Sequence, residues 1–179
     1  MSTVRRPKPR PVRNACRIDV IVDASNQAAW NRAVPRLEPQ VRKAARAALK
    51  QMKPARGRSQ LTVRLSGDRD VRRLNHDFRG KDKPTNVLSF PSGDDIRPRG
   101  APLLLGDIVI AYGTVAREAA AQAKPIRDHL LHLVVHGVLH LLGHDHQHPA
   151  EAARMEKMET DILAGFGMAN PYVIERRRA

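Results

Sequence analysis

Residues 126–146 read IRDHLLHLVVHGVLHLLGHDH and place several histidines within an apolar run. At 100° per residue of an α-helix, the first four fall within a stripe roughly 80° wide, while leucines and valines fill most of the remaining circumference. These four are His129, His132, His136 and His140. We therefore expect a buried helix that carries imidazoles along one face, begun by Pro125 and ended by Gly143.

His136 and His140 are separated by about one helical turn, so their ring nitrogens can point to one place. Gly143 can turn the chain back and bring His146 to the same place. Three imidazoles and no cysteine favour zinc, although nickel or another divalent metal also suits these ligands. Structural zinc sites are normally closed by four protein ligands, so a set of three leaves one position open for water or substrate. Such an ion lowers the pKa of bound water to about 7.

Other polar residues of this stretch are expected to play supporting roles. His129 lies nearly three turns before the last histidine of the helix and is better explained as a core histidine with a satisfied hydrogen bond. We expect His132 to lie beside the ligands and Asp145 to orient one of the imidazoles. His144 or His148 could close the site as a fourth ligand, but His144 is expected to point away within the turn.

The string HGVLHLLGHDH, residues 136–146, has the ligand spacing H-x-x-x-H-x-x-G-x-x-H of metzincin metalloproteases. A peptidase of that type needs a general-base glutamate directly after the first histidine, where this chain has Gly137. Peptide hydrolysis is therefore disfavoured, and a metallopeptidase-like hydrolase is the weakest of the alternatives.

The composition is that of a single globular domain, with 179 residues of which 41% are apolar and 28% charged. The only cysteine, Cys16, excludes an intramolecular disulfide and a Cys-rich zinc ribbon, and it is compatible with the reducing cytoplasm. The N-terminus lacks the apolar segment of a signal peptide, and no apolar run is long enough to span a bilayer. We therefore expect a cytoplasmic protein without a membrane partner; the sequence does not indicate an oligomeric state.

The net charge of +14 is concentrated at the ends of the chain. Residues 1–17 hold six Arg and Lys residues and no acid, and three arginines occupy 176–178. We expect a disordered basic arm over 1–16, a single domain over 17–173 and a basic tail over 174–179. Such segments attract polyanions such as RNA by releasing counterions. An arm that only aids solubility is the alternative.

Hydrophobic periodicity predicts the element order β-α-β-α-β-β-α-α-α. The strands are expected at 17–22, 61–65, 85–91 and 105–112. Besides the histidine helix, helices are expected at 36–52, 114–123, 149–164 and between Asp68, as N-cap, and Gly80. We therefore expect an α+β fold, in which a small mixed sheet of about four strands packs with helices and the metal site lies on a buried histidine-bearing helix.

Three further blocks accompany the histidine string, namely FRGKDKPTNVLSFP at 78–91, LGDI at 105–108 and NPY at 170–172. Together they resemble the signatures of the YbeY family of bacterial endoribonucleases and rRNA maturation factors, over about residues 18–173 and without the basic tails. His144 stands where that family commonly has an aromatic residue. The resemblance implies an α+β metalloprotein that cleaves single-stranded RNA in 16S rRNA 3′-end maturation on the small ribosomal subunit and in ribosome quality control. It also implies that zinc is bound by His136, His140 and His146 and that Arg79 is functionally important.

Arg79 suits phosphodiester chemistry because its guanidinium is permanently charged and its fork matches two phosphate oxygens. Near the metal it could hold the scissile phosphate and stabilise the charge that develops there. We therefore expect Arg79 and the metal ligand His136 to be catalytic, with Lys81 and Lys83 adding contacts to the RNA backbone. Asp107 could orient a histidine or complete the site, and a purely structural turn is an equal alternative.

Thr85 and Asn86 could hydrogen-bond either a sugar or their own loop. Few aromatic residues are available for base stacking, with Phe78, Phe90 and Tyr112 as candidates, so recognition is expected to depend mainly on phosphates. No general base is identifiable, and the sequence does not distinguish attack by water from attack by the RNA 2′-OH. The main alternative to an enzyme is a non-catalytic ribosome-assembly factor that is stabilised by its metal.

Overall fold

The structure is a computed structural model that describes residues 15–51, 58–93 and 101–173. The basic arm predicted at 1–16 lies outside the described residues except for Ala15 and Cys16, which begin the first strand. The basic tail predicted at 174–179 lies outside them as well. Within the three described ranges, no helix combines the length and the apolar character that a bilayer span requires.

Four strands and six helices follow one another along the described chain. Their bounds are β1 Ala15–Val22, α1 Ala24–Ala33, α2 Leu37–Leu49, β2 Arg58–Ser66, α3 Asp68–Arg79, β3 Val87–Pro91, β4 Leu103–Ala111, α4 Tyr112–Ala121, α5 Ile126–Leu141 and α6 Pro149–Ala164. The predicted α+β architecture is confirmed. The periodicity does not predict α1, because Trp30 is the only buried residue of that helix and one apolar anchor creates no repeating pattern.

The sheet is mixed and has the strand order β1-β2-β4-β3. Strands β1, β2 and β4 run parallel, and β3 runs antiparallel to β4. Successive residues of a strand point to opposite faces, so Ile108 and Ile110 of β4 join the main core, whereas Val109 joins a smaller cluster with Val71 and Leu88. One face of the sheet therefore carries α5 and most other helices, and α3 covers part of the opposite face.

Helix α5 approaches β4 closely at Gly137, where no side chain separates helix and strand. A Cβ at this position would lie 2.9 Å from Ile108 Cγ2, and Ile108 is itself fully buried. Position 137 thus faces the sheet, and a glutamate there would meet Ile108 before it could reach the histidine face. The packing of α5 explains why the peptidase glutamate is absent.

Gly137→Ala should lower the free energy of unfolding by about 1–2 kcal/mol. A methyl group forced into a well-packed core costs about 1–3 kcal/mol, and the better helix propensity of alanine returns up to about 1 kcal/mol. Urea unfolding followed by circular dichroism measures the change. Gly93→Ala is the matched control, because a Cβ at Gly93 has no atom within 4 Å. A Gly137→Ala protein as stable as the wild type would contradict the close approach.

The prediction that Asp68 is an N-cap is wrong. Helix α3 begins at Asp68 itself, with Gly67 in the N-cap position. The Asp68 carboxylate instead accepts hydrogen bonds from the Thr114 backbone N–H at 2.8 Å and from Arg117 Nη2 at 2.8 Å. Asp68 therefore supplies the acceptor for a backbone N–H in the first turn of α4. Because α4 is distant in sequence, a local pattern cannot identify it as the partner of Asp68.

Candidate metal centre

Three histidines bring one ring nitrogen each to a common point. His136 and His140 come from successive turns of α5, and His146 comes from the segment between α5 and α6. The three ligand atoms all lie within 4.8 Å of one another, and the Nε2 atoms of His136 and His140 are 3.1 Å apart. In a tetrahedral zinc site with Zn–N bonds of about 2.0–2.1 Å, two nitrogens lie roughly 3.3 Å apart. The donor set therefore fits one divalent ion.

The turn after α5 carries His146 to the other two histidines. Gly143 has a φ of +85°, in the left-handed region that favours glycine, and the His144 N–H donates to the Leu139 carbonyl at 3.0 Å. Asp145 then accepts a hydrogen bond from the His146 backbone N–H at 2.7 Å. Asp145 thus supports the third histidine through the backbone, whereas the sequence analysis expected it to orient an imidazole.

A buried carboxylate that the sequence analysis missed holds the first histidine. Glu159 of α6 is 0% exposed, and its two oxygens lie 2.7 Å from His136 Nδ1 and 2.8 Å from His132 Nε2. The Tyr172 hydroxyl donates a further hydrogen bond to it. Because an ionised carboxylate only accepts, His136 carries its proton on Nδ1, and Nε2 keeps the lone pair that a metal requires.

One feature of the sequence could have revealed Glu159. Met155 lies four residues before Glu159, and Ile162 and Leu163 follow it at helical spacing. All three are buried. Glu159 therefore occupies a core position of α6. A carboxylate at such a position needs buried polar partners. The pattern identifies the residue but not its partners, which lie 23 and 27 positions away in the chain.

The charge states of these groups favour metal binding. Burial raises the pKa of Glu159, but hydrogen bonds from two histidines and the tyrosine outweigh it and bring the pKa to about 2. Burial and the adjacent carboxylate raise the pKa of Tyr172, so its hydroxyl remains a donor. Burial, reinforced by His136 and His146, lowers the pKa of His140 to about 4. At neutral pH, His140 is therefore an uncharged imidazole that can bind an ion.

The remaining histidines of the stretch lie outside the triad. His132 hydrogen-bonds the buried carboxylate, a position beside the ligands. His129 is buried, and its Nε2 lies 2.6 Å from Glu118 Oε2, which agrees with its interpretation as a core histidine. Among the described residues, the group able to hold a metal includes neither His144 nor His148, so no fourth protein ligand closes it there.

The loop after α3 has a well-defined backbone. Asn75 is buried; its Nδ2 donates to the Lys83 carbonyl at 2.7 Å, and its own carbonyl accepts from the Lys81 N–H at 3.2 Å. An ion pair between Arg72 and Asp82, with two contacts of 2.7 Å, ties the same loop to α3. These bonds tie the loop back onto α3.

The end of α3 and the loop after it present three cations to solvent. Arg79 is the last residue of α3, and Arg79, Lys81 and Lys83 are all exposed. In the part of the chain that the structure describes, none of these three side chains forms an ion pair or a hydrogen bond. Three unpaired cations at this helix end and loop form a surface suited to phosphate groups.

Three other residues considered in the sequence analysis lie away from the histidines or support the fold. Asp107 is exposed and precedes Ile108, which faces α5, so Asp107 points to the opposite face of the sheet. Asn86 donates to Glu118 at 3.0 Å and accepts from the next backbone N–H at 2.7 Å, so it holds its own loop. Tyr112 packs edge-on against a core tryptophan, with ring centroids 4.9 Å apart.

Comparison with known proteins relates the chain to one family. The family profile described as "Endoribonuclease YbeY" matches residues 23–167. Endoribonuclease YbeY of Paramagnetospirillum magneticum is 48% identical over 159 residues, which cover 87% of this chain and 96% of that protein. Endoribonuclease YbeY of a Bradyrhizobium species is 47% identical over 146 residues, 80% of this chain and 86% of that one. A solution structure of a Thermotoga maritima protein matches this chain with 22% identity and a TM-score of 0.51. The match covers 87% of this chain and 99% of that protein, and it supports the fold alone.

Proposed function

This chain belongs to the YbeY endoribonuclease family, and on that premise we propose that it is a zinc-dependent endoribonuclease that cleaves single-stranded RNA. We further propose that it acts in the cytoplasm on the 3′ end of 16S rRNA in the small ribosomal subunit, in maturation and in ribosome quality control. The proposal that the reaction depends on a metal ion rests on the histidine triad. The triad offers three nitrogens to one ion, without a fourth protein ligand among the described residues.

The ligand chemistry supports zinc. Three imidazole nitrogens form a nitrogen-only set like that of zinc enzymes that keep one coordination position for water or substrate. When bound, the ion supplies Lewis-acid activation of a phosphate oxygen and of the attacking oxygen. The preference for single strands and the ribosomal substrate rest on the likeness of the sequence blocks to the family signatures.

The chain's own residues prepare the site before RNA binds. Glu159 fixes the ring of His136 and the position of its proton, so this ligand needs no reorganisation to bind an ion. In this proposal Arg79 holds two oxygens of the scissile phosphate and stabilises the negative charge that grows there during cleavage. Lys81 and Lys83 attract the flanking phosphates, which positions the strand without reading its sequence.

Two other functions have less support. A metzincin-like peptidase would need a carboxylate at position 137, where Gly137 packs against Ile108. An assembly factor with a purely structural zinc ion would normally close its site with four protein ligands, whereas the described residues offer three.

Arg79→Ala should slow the cleavage of single-stranded RNA by roughly 10²- to 10³-fold, the usual loss when a group that stabilises transition-state charge is removed. Metal content and melting temperature should stay at the wild-type values, because Arg79 is exposed. Cleavage of a labelled 16S 3′-terminal fragment, in single-stranded and duplex form, measures the effect. Arg69→Ala is the matched control, since Arg69 is an exposed cation in the first turn of the same helix.

Two outcomes would contradict this proposal in different ways. An Arg79→Ala protein with full activity would remove Arg79 from the mechanism. A wild-type protein that is free of contaminating RNases, contains its metal and leaves RNA intact would favour the assembly factor instead.

A further inference from the structure

The most exposed large apolar side chain in the described part of the molecule is that of Phe78, at 68%. Its ring contacts that of Phe90, with ring centroids 5.0 Å apart and planes inclined at 64°. Phe90 itself packs against the smaller core cluster on the α3 side of the sheet. Phe78 is therefore an aromatic ring that is supported by one neighbouring ring and mostly open to solvent.

The backbone that carries the ring is fixed by the end of its helix. Phe78 is the penultimate residue of α3, which ends in the left-handed Gly80. The Gly80 N–H bonds the His76 carbonyl at 2.9 Å, and the following loop is fixed by Asn75. Because its backbone is fixed and its ring already contacts Phe90, Phe78 has less conformational freedom to lose when a ligand stacks on it.

The surroundings of Phe78 select the kind of ligand. Arg79 follows it directly, and Lys81 and Lys83 lie on the adjoining loop, all three exposed and without partners among the described residues. A supported aromatic ring beside unpaired cations is the combination by which proteins bind single-stranded nucleic acid, in which bases stack on the ring and phosphates meet the cations. An apolar protein partner would leave these three charges unpaired.

The aromatic pair is connected to the histidine triad across β4 and β3. Leu141 follows His140, and a Cβ built at Gly106 would lie 3.0 Å from Leu141 Cδ2. Gly106 pairs with Pro91, the residue after Phe90. Because β3 is an edge strand, an RNA strand can pass around this edge from the aromatic ring toward the end of α5.

We propose that Phe78 is a stacking site for one unpaired base of the RNA strand, next to the phosphate that Arg79 holds. This inference rests on the proposed function and adds to it a contact to a base. The contact explains a preference for single strands, because a base within a duplex cannot expose its face to the ring. Since every base has a π-face, the contact does not select a sequence.

Binding of a short single-stranded RNA that contains 2-aminopurine tests this inference, at a temperature where cleavage is slow. Phe78→Ala should weaken binding by roughly 5- to 100-fold, the range for loss of one base–aromatic stack, and should abolish quenching of 2-aminopurine at one position. Phe78→Trp should keep both. Ile21→Ala is the matched control, because Ile21 is 50% exposed on β1, at the opposite edge of the sheet.

Two further measurements separate stacking from other roles. The slope of log affinity against log salt concentration should be unchanged in Phe78→Ala. In Lys81→Ala the magnitude of this slope should fall by about 0.7, because one phosphate contact is lost. An RNA with an abasic site at the quenched position should bind the wild type and Phe78→Ala equally.

Wild-type affinity of Phe78→Ala would overturn the inference and favour a protein-docking role for the ring. The inference would also be overturned if Phe78→Ala weakened binding of the abasic RNA as much as it weakened binding of the intact RNA. If Arg79→Ala abolishes cleavage while Phe78→Ala binds normally, only the stacking site fails. If the wild type neither binds nor cleaves RNA, the proposed function fails as well.

Discussion

His140→Ala should cost the protein its metal and, with it, the cleavage of RNA. The apparent free energy of zinc binding to a complete structural site is about 10–16 kcal/mol, so one of three or four ligands carries roughly 3–5 kcal/mol. Loss of His140 should therefore lower the metal affinity by roughly 10²- to 10⁴-fold. RNA cleavage should fall by at least the same factor, because the ion supplies the Lewis acid.

Elemental analysis after gel filtration, together with cleavage of the single-stranded 16S fragment, measures both effects. The wild type should hold about one zinc ion per chain, as a single three-histidine site predicts. His144→Ala is the matched control, since it removes an imidazole from the same turn whose ring lies outside the triad. Metal retained in His140→Ala, or lost in His144→Ala, would contradict the ligand set.

Glu159→Gln should weaken metal binding by about 10- to 100-fold, the usual cost of losing the hydrogen-bonding partner behind a metal ligand. Glu159 accepts from His136, His132 and Tyr172 at once. An amide of similar size has one acceptor oxygen and no charge, so it cannot serve both imidazoles. The His136 proton is then no longer confined to Nδ1, and Nε2 is less available to the ion.

The same substitution has a signature that does not depend on the metal. The folded-state pKa of Glu159 is about 2, below its ordinary value of 4.5. The carboxylate therefore stabilises the folded protein above about pH 4.5, and this contribution is lost as the pH falls toward 2. The stability of the metal-free wild type should fall across this window, and Glu159→Gln should lack that part of the fall.

Chelator competition and thermal unfolding of the metal-free proteins measure these two effects. Glu151→Gln is the matched control, because Glu151 is exposed in the first turn of the same helix. If Glu159→Gln matched the wild type in both metal affinity and acid profile, Glu159 would have no role in positioning His136.

Much of the fold could be predicted because local rules produce it. The apolar alternation of residues 61–65 lies within β2, and the final helix predicted at 149–164 has the bounds of α6. Helix α1 could not be predicted by these rules, because Trp30 is its only buried residue and a single apolar residue makes no periodic pattern. Asp68 departs from them because its carboxylate accepts a hydrogen bond from the Thr114 N–H of α4, 46 positions later in the chain.

The sequence by itself determined which three histidines can meet. A helix of 3.6 residues per turn places His136 and His140 on one side whatever surrounds it, and the turn at Gly143 returns His146 within a few residues. Only the tertiary structure decided that Glu159 stands behind His136, that Asp107 faces away from α5, and that position 137 has no room for a side chain. Short-range geometry follows from covalent structure, whereas these three outcomes depend on how helices and strands distant in the chain pack to bury one core.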